Sequence, residues 1–376
     1  MNQIKDKKVF KLAELFCGPG GIALGAKSST VRKDGITFGV QPIWANDFDE
    51  DTCKTYASNI HHGDRSAVIC SPVQNIDFRK VPAFDALAFG FPCNDFSIVG
   101  EQKGIKGKYG PLYTYGVKAI EVHNPLWFMA ENVGGLQSAN SGDTFKIILQ
   151  SLENAGKHGY RLTAHLYKFE DYGVPQYRHR IVIVGMRKDL GLEFRVPAPT
   201  THGNHVSARE AFEIPPILKD ASNNEQTKQA GAVIERLKHI PPGENAWFEG
   251  IPKKLRLNVK GAKLSQIYKR LDPNRPSYTI TGSGGGGTHG YHWKENRALT
   301  NRERARIQSF PDTFIFEGSK ESVRKQIGMA VPPKGAEAIV TAILKTFASI
   351  KYPSVPAKFT NYERAETVER IREMSL

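Results

Sequence analysis

A chain of 376 residues, 40% hydrophobic, has the makeup of a globular protein with one large domain or two ordinary ones. No apolar run approaches the ~18 residues of a membrane span, and Met1 to Lys8 lacks a signal-peptide core, so a cytoplasmic protein without membrane contact is expected. Four cysteines (Cys17, Cys53, Cys70, Cys93) without CxxC spacing argue against a zinc site or a secreted disulfide framework, and a net charge of +14 points to a polyanionic partner such as nucleic acid.

In chain order, Val9 to Phe16 is an apolar, partly alternating run and reads as a strand. It stops at Cys17-Gly18-Pro19-Gly20-Gly21 and resumes at Ile22 as a helix. Strand, glycine turn and helix open nucleotide-binding α/β units, because glycines let the backbone approach a ligand closely. A second strand, Gln41 to Asn46, ends at Asp47 and Phe48, an acid placed for ribose hydroxyls and a ring placed for an adenine face. Together they point to a cofactor containing adenosine. Ala86 to Phe89 reads as a buried strand stopped by Gly90-Phe91-Pro92. The thiol that follows, Cys93, stands at a strand's carboxyl end, where open α/β sheets place their chemistry. Cys93 is either a nucleophile or a small buried hydrophobe, and the stretch leaves both open. A polar segment containing Ser97 and a basic loop containing Lys103, Lys106 and Lys108 come next.

Tyr113 to His123 reads as a helix, and Pro125 to Ala130 as a buried strand ending at Glu131. A carboxylate beside such a run is partly desolvated, which raises its pKa and lets it hold a proton near neutrality; the alternative is a surface acid in a turn. Thr144 to Ala155 is an amphipathic helix, and strands Arg161 to Tyr167 and Ile181 to Met186 flank a segment ending in Gln176-Tyr-Arg-His-Arg180. If that segment is extended, Gln176, Arg178 and Arg180 share a face, and the two guanidiniums suit phosphate or carbonyl oxygens. From about Lys188 prolines punctuate an irregular region. Within it, Ile251 to Arg275 carries eight basic residues against the single acid Asp272. Arg275 to Thr281 is strand-like, and the glycine-rich 282–290 is a linker or a place of close backbone approach. Thr300 and Glu303 form a capping-box pattern opening a helix, and Lys334 to Phe347 is a final apolar helix.

These pieces, in this order, resemble the cytosine-C5 DNA methyltransferase family. The resemblance rests on Leu15-Phe-Cys-Gly-Pro-Gly-Gly21, Gly90-Phe-Pro-Cys93 with Phe96-Ser97, Glu131-Asn-Val133, Gln176-Tyr-Arg-His-Arg180, Leu299-Thr-Asn-Arg-Glu303 with Gln308-Ser-Phe-Pro311, and Gly328 to Pro332. It implies a Rossmann-like α/β fold that uses S-adenosyl-L-methionine, with a mixed, mostly parallel sheet and a smaller irregular target-recognition domain. The implied boundaries are 1–186 for the catalytic and cofactor-binding domain, 187–316 for target recognition, 317–350 for a segment completing the catalytic domain, and 351–376 for a polar tail. It implies methyl transfer to carbon 5 of a flipped-out cytosine through a covalent Cys93 adduct, with Glu131 supplying a proton at N3. Arg180 holds the base carbonyl, and Arg178 supports the site or contacts phosphate. Phe16, Gly18, Gly20, Gly21, Asp47, Phe48, Leu112 and Val331 are the implied cofactor contacts. Ser97, Lys103, Arg178, Gly284 and Gly285 are the implied DNA contacts, with a lid from Ser97 to Lys108. The implied setting is a monomer acting on double-stranded DNA and protecting it from a cognate restriction endonuclease.

The chain departs from the family pattern at Asn94, where Gln is common, at Pro72, near the family's adenine-contacting acid, and at Met329, where Asn is usual. Three rivals follow from the same residues: a tRNA cytosine-5 methyltransferase, a catalytically silent DNA-binding relative, and a nicotinamide-dependent oxidoreductase. The last leaves Cys93, Glu131 and the arginine pair without roles.

Overall fold

The computed structural model describes residues 6–91, 112–135, 143–258, 264–282 and 286–359. Its centre is a mixed sheet of β1 (Lys7–Leu15), β2 (Thr30–Lys33), β3 (Ile36–Asp47), β4 (Val68–Cys70), β5 (Ala86–Gly90), β6 (Trp127–Val133), β7 (Tyr160–Lys168) and β8 (His179–Arg187). The order is β2-β3-β1-β5-β6-β8-β7, with β4 also paired to β3. The pairs β1–β3, β1–β5, β3–β4 and β5–β6 are parallel, whereas β2–β3, β6–β8 and β7–β8 are antiparallel. This is the Rossmann-like methyltransferase arrangement expected from the sequence.

Period-two alternation sends successive residues of each strand to opposite faces. Leu87, Phe89, Phe128 and Ala130 pack with Ile120 of α3 (Tyr113–His123) and Ile148, Leu149 and Leu152 of α4 (Asp143–Glu153). Ala86, Ala88, Trp127 and Met129 face the other way, onto Ile22 and Ala26 of α1 (Gly21–Ser28) and Ile339 and Ile343 of α9 (Pro333–Phe347). At the α1–α9 contact the backbones nearly touch. A Cβ on Gly25 would clash with the Pro333 carbonyl and come 2.7 Å from the Glu337 nitrogen. Alanine's better helix propensity does not offset that overlap, so Gly25→Ala is expected to cost about 1–3 kcal/mol, read as a lower urea midpoint at unchanged m-value.

A third cluster joins α2 (Glu50–Ile60) to the far end of the chain: Cys53, Tyr56 and Ile60 pack with Ala305 of α7 (Asn301–Ile307), Phe310, Phe314, Phe316, and Val323 and Ile327 of α8 (Lys320–Met329). The irregular region keeps two small cores of its own, one around Phe212 of α5 (Ala208–Glu213), Trp293 and Leu299, the other around Leu237 of α6 (Gly231–Leu237), Ile240 and Tyr291. β9 (Val196–Pro197) pairs with β10 (Ser354–Val355), which fastens the start of the tail.

The structure differs from sequence expectation in four elements. β6 continues through Val133, so Glu131 is a strand residue and not a turn acid. The hairpin β2–β3, turning at Asp34-Gly35, and the helix α8 were not anticipated. Arg275 to Thr281 forms no strand. Only Ser277 bridges to Gln176, because the segment meets the 175–177 backbone through a few hydrogen bonds and not a ladder. The stretch Lys320–Phe347 is long and apolar enough, by composition, to cross a membrane. It is broken at 330–332 into α8 and α9 and is mostly buried inside the fold, as a core element is.

Glu14 on β1 is 1% exposed and accepts a 3.1 Å hydrogen bond from the Tyr56 hydroxyl. Burial pushes its pKa up to about 8; the Tyr56 bond opposes this and the charge of Asp47 adds to it. The fold therefore favours the protonated acid. That proton-linked stability is complete below the unfolded value of 4.5 and is lost as pH rises through about 8. Urea midpoints are expected to fall from pH 5 to pH 8, and Glu14→Gln to flatten that slope.

Candidate functional site

The register of the parallel strands aligns their carboxyl ends. Leu15 pairs with Asn46 on one side and Phe89 on the other, and Gly90 pairs with Glu131. Antiparallel β8 enters the same edge, with Val182 opposite Glu131 and Arg180 opposite Val133. Thus Phe16 to Gly21, Asp47-Phe48, Gly90-Phe91, Glu131 and Arg180 are all delivered to one margin of the sheet.

Glu131 and Arg180 form an ion pair, Arg180 Nε to Glu131 Oε1 at 2.9 Å, with side chains 12% and 14% exposed. Burial raises the Glu131 pKa, and the charges of Arg180 and Arg178 and the Arg180 bond only partly oppose it. A carboxyl whose pKa is raised in this way holds its proton more tightly and can transfer it while staying tethered. Next to it, Asn132 donates to the Phe91 carbonyl at 3.2 Å and accepts from the Val133 amide at 2.7 Å. Asn132 is 3% exposed and fixes the last described residue before Cys93. Its role was not read from the sequence. Cys93 itself, together with Ser97, Lys103, the rest of the lid to Lys108, Gly284 and Gly285, lies outside the described residues.

On the adenosine side, Asp47 ends β3 and is capped by backbone donors: Gly18 N at 3.0 Å to Oδ2, and Phe48 N at 2.8 Å and Asp49 N at 3.1 Å to Oδ1. Burial raises its pKa against those donors. Phe48 is 65% exposed, large for a phenylalanine, with Lys325 Nζ 5.9 Å from its ring centroid. Phe16 and Gly20 have positive φ, 52° and 103°, in the turn that leads into α1. A Cβ on Gly18 would meet nothing within 4 Å, so this backbone is open to a ligand. Gly21 abuts the Val331 carbonyl, which brings two of the expected contacts together. Leu112 is buried in the cluster that also receives Phe16. An acid, an open glycine turn and an exposed ring in this arrangement fit an adenosine-bearing cofactor. Of the four cysteines, Cys17 and Cys53 are buried thiols with raised pKa values, inert by that measure.

The segment before β8 alternates as expected: Gln176 and Arg178 are buried, and Tyr177 and His179 exposed. Arg178, however, faces the protein interior. It is 1% exposed, and its guanidinium donates to the carbonyls of Ile280 (3.3 Å), Gly328 (3.0 Å) and Ala330 (2.9 Å). The expectation of a DNA phosphate contact is therefore corrected. The guanidinium is enclosed and engaged by three carbonyls, and it ties the catalytic edge to α8 and the 280–282 backbone. Gln176 completes this tie by accepting from the Ile280 amide at 3.1 Å. Among the described residues, Asp171, His202 and His205 could together hold a metal; Asp171 Oδ1 accepts from His205 Nε2 at 2.7 Å and His202 Nδ1 at 3.1 Å.

Comparison with known proteins agrees with this geometry. A family model described as C-5 cytosine-specific DNA methylase matches residues 10–345. The Type II methyltransferase M.BbvI of Brevibacillus brevis is 56% identical over 373 residues, 97% of this chain and 99% of its own. The Type II methyltransferase M.NgoFVII of Neisseria gonorrhoeae is 40% identical over 372 residues, 96% and 91% of the two chains. Among solved structures, an E. coli prophage protein assigned as a DNA modification methyltransferase superposes with a TM-score of 0.65 at 22% identity. That match covers 90% of this chain and 99% of the other, and is a likeness of fold.

Proposed function

The chain belongs to the C-5 cytosine-specific DNA methylase family, and from that premise we propose how its residues carry out the reaction. It is a DNA (cytosine-5-)-methyltransferase, and its substrate is DNA. Cytosine carbon 5 is a weak nucleophile until a thiolate adds to carbon 6. Cys93 makes that bond. Glu131 donates a proton at N3, so negative charge does not build on the ring, and Arg180 orients Glu131 and binds the carbonyl at carbon 2. S-adenosyl-L-methionine, held by Asp47 and Phe48 beside the 16–21 turn, with Leu112 and Val331, supplies the methyl group. Carbon 5 then loses its proton to solvent, the carbon 6–sulfur bond breaks to release the Cys93 thiolate, and N3 returns its proton to Glu131. A stacked base cannot enter such a site, so the cytosine is flipped out of the duplex. Ser97 and Lys103 on the lid, with Gly284 and Gly285, contact the DNA. Residues 1–186 and 317–350 form the catalytic domain, 187–316 choose the target and 351–376 are a peripheral tail.

The observation that carries this reading is the Glu131–Arg180 pair, 2.9 Å apart at the strand edge in register with Gly90. The names of the relatives support a role in a restriction-modification system, in which the protein, a cytoplasmic monomer with no membrane contact, shields DNA from an endonuclease. Labelled S-adenosyl-L-methionine offered with duplex DNA or with tRNA tests the substrate. Label is expected in DNA as 5-methylcytosine; label in tRNA alone would favour the RNA rival.

A further inference from the structure

Beyond the Glu131–Arg180 pair, α7, α8, the end of the glycine-rich segment and the 225–227 stretch line a small cavity with Arg304, Arg324, Lys320, His289, Asn301 and Glu225, and with Thr227 and Leu299 completing the wall. Its positive charge is poorly compensated. Arg304 is 3% exposed, makes no salt bridge among the described residues, and donates to the His289 carbonyl. Arg324 Nη1 lies 3.2 Å from His289 Nδ1, and its buried Nε has no partner. Its ion pair is to Glu321, 3.6 Å away on a side chain 85% exposed. Glu225 lines the cavity without forming an ion pair to either guanidinium. The imidazole stays neutral, so it adds no further positive charge and supplies no counter-charge. Burial, then Arg324 and Arg304, push its pKa down to about 4, so Nδ1 accepts from Arg324 and Nε2 carries the hydrogen.

A buried Arg304, a half-buried Arg324 with an unpaired Nε–H and only an exposed partner, and a neutral imidazole, with Lys320 at the rim, make a site short of negative charge. The cavity volume, 20 Å³, exceeds the ~10–15 Å³ that one water needs. That is room for a small polar group, such as the free oxygens of a phosphate, and not for a nucleoside. Position suggests which oxyanion. Arg324 and Gly328 are four residues apart, so they share a face of α8, about 6 Å apart along its axis. Gly328 is pressed against the backbone at Thr281-Gly282, and its carbonyl accepts from Arg178 in the tie at the catalytic edge.

We propose that Arg304, Arg324 and His289, with Lys320 at the rim, form an oxyanion subsite that takes a backbone phosphate of the DNA beside the flipped cytosine. The proposal rests on the DNA reading of the catalytic site and adds a phosphate clamp on the α7–α8 side. The clamp carries no base information, so it acts on affinity and register equally for all sequences.

The test is the binding of the full chain to a mixed-sequence duplex between about 50 and 200 mM salt, for wild type, Arg324→Gln and Arg324→Lys. Arg324→Gln is expected to weaken binding about tenfold and reduce the salt slope by about 0.9, the value of one phosphate; Arg324→Lys is expected to keep the slope. In a parallel melt at constant ionic strength, inorganic phosphate is expected to raise the melting temperature of wild type but not of Arg324→Gln. Phosphate stabilisation with an unchanged slope would assign the site to a free anion and overturn the DNA clamp. No effect in either assay would overturn the subsite altogether. If Arg324→Gln fails to fold by circular dichroism, Lys320→Gln carries the same comparison. Failure of the methyltransferase reading would show separately, as absence of methyl transfer by the wild-type chain.

Discussion

Glu131→Gln is expected to lower methyl transfer to duplex DNA by about 10²–10⁴-fold, the range lost when a positioned acid is removed, with little change in stability. The side chain is 12% exposed and bonded to Arg180 Nε at 2.9 Å, and a glutamine oxygen can still accept that bond. What glutamine cannot do is carry a transferable proton. Burial holds the Glu131 carboxyl above its ordinary pKa despite two neighbouring guanidiniums. The wild-type single-turnover rate is therefore expected to fall as pH rises through that raised pKa, and the variant's residual rate to lack this limb. A Glu131→Gln rate within tenfold of wild type would remove Glu131 from the chemistry.

Arg178→Leu is expected to destabilise the fold by about 3–5 kcal/mol. The estimate follows from three buried carbonyls, on Ile280, Gly328 and Ala330, that lose a charged donor together. Bonds to a charged group contribute about 1.5–3 kcal/mol each, but these three share one guanidinium and do not add, so the loss stays near the ~3–5 kcal/mol of breaking a buried charged interaction. Burial and the nearby Arg180 push the Arg178 pKa down, yet a guanidinium does not give up its proton in a protein, so the site bears the cost as stability. Urea denaturation of Arg178→Leu and Arg178→Lys is expected to rank them below wild type, with the lysine intermediate because it cannot reach all three carbonyls. If Arg178→Lys kept full stability but lost DNA affinity and salt slope, Arg178 would be a phosphate contact after all.

The sequence showed the strands where apolar runs were long, and Tyr113–His123 because its helical signal was unbroken. The Thr300–Glu303 box was legible because capping is local chemistry, and both of its reciprocal bonds are present. Failures came where a local rule needed a tertiary fact. Asp34-Gly35, a strong hairpin signal with φ of 50° and 81°, was overlooked beside the glycine turn. α8 was hidden because its buried face is narrow, Val323 and Ile327 with Gln326 and Gly328. For Gln176, Arg178 and Arg180, alternation fixed which residues share a face but not which face is the interior. That choice depends on the 280–282 backbone and α8, more than a hundred residues away.

The cofactor side was readable because Asp47 and Phe48 end a strand, and strand ends are where ligands meet this kind of sheet. The link between Asn132 and Phe91 was not, since an asparagine between a glutamate and a valine gives no hint of a partner some forty residues earlier. The oxyanion cavity is of the same kind. Its residues come from the 225–227 stretch, the 286–290 segment, Leu299 with α7, and α8, and nothing in their spacing unites them.

The central claim is that this chain methylates carbon 5 of cytosine in duplex DNA at a fixed sequence. Bisulfite sequencing of DNA from cells expressing it tests this most directly. The account predicts protected cytosines at one short recurring site, lost on Cys93→Ala; conversion of cytosines everywhere, in cells that contain folded protein, would contradict it.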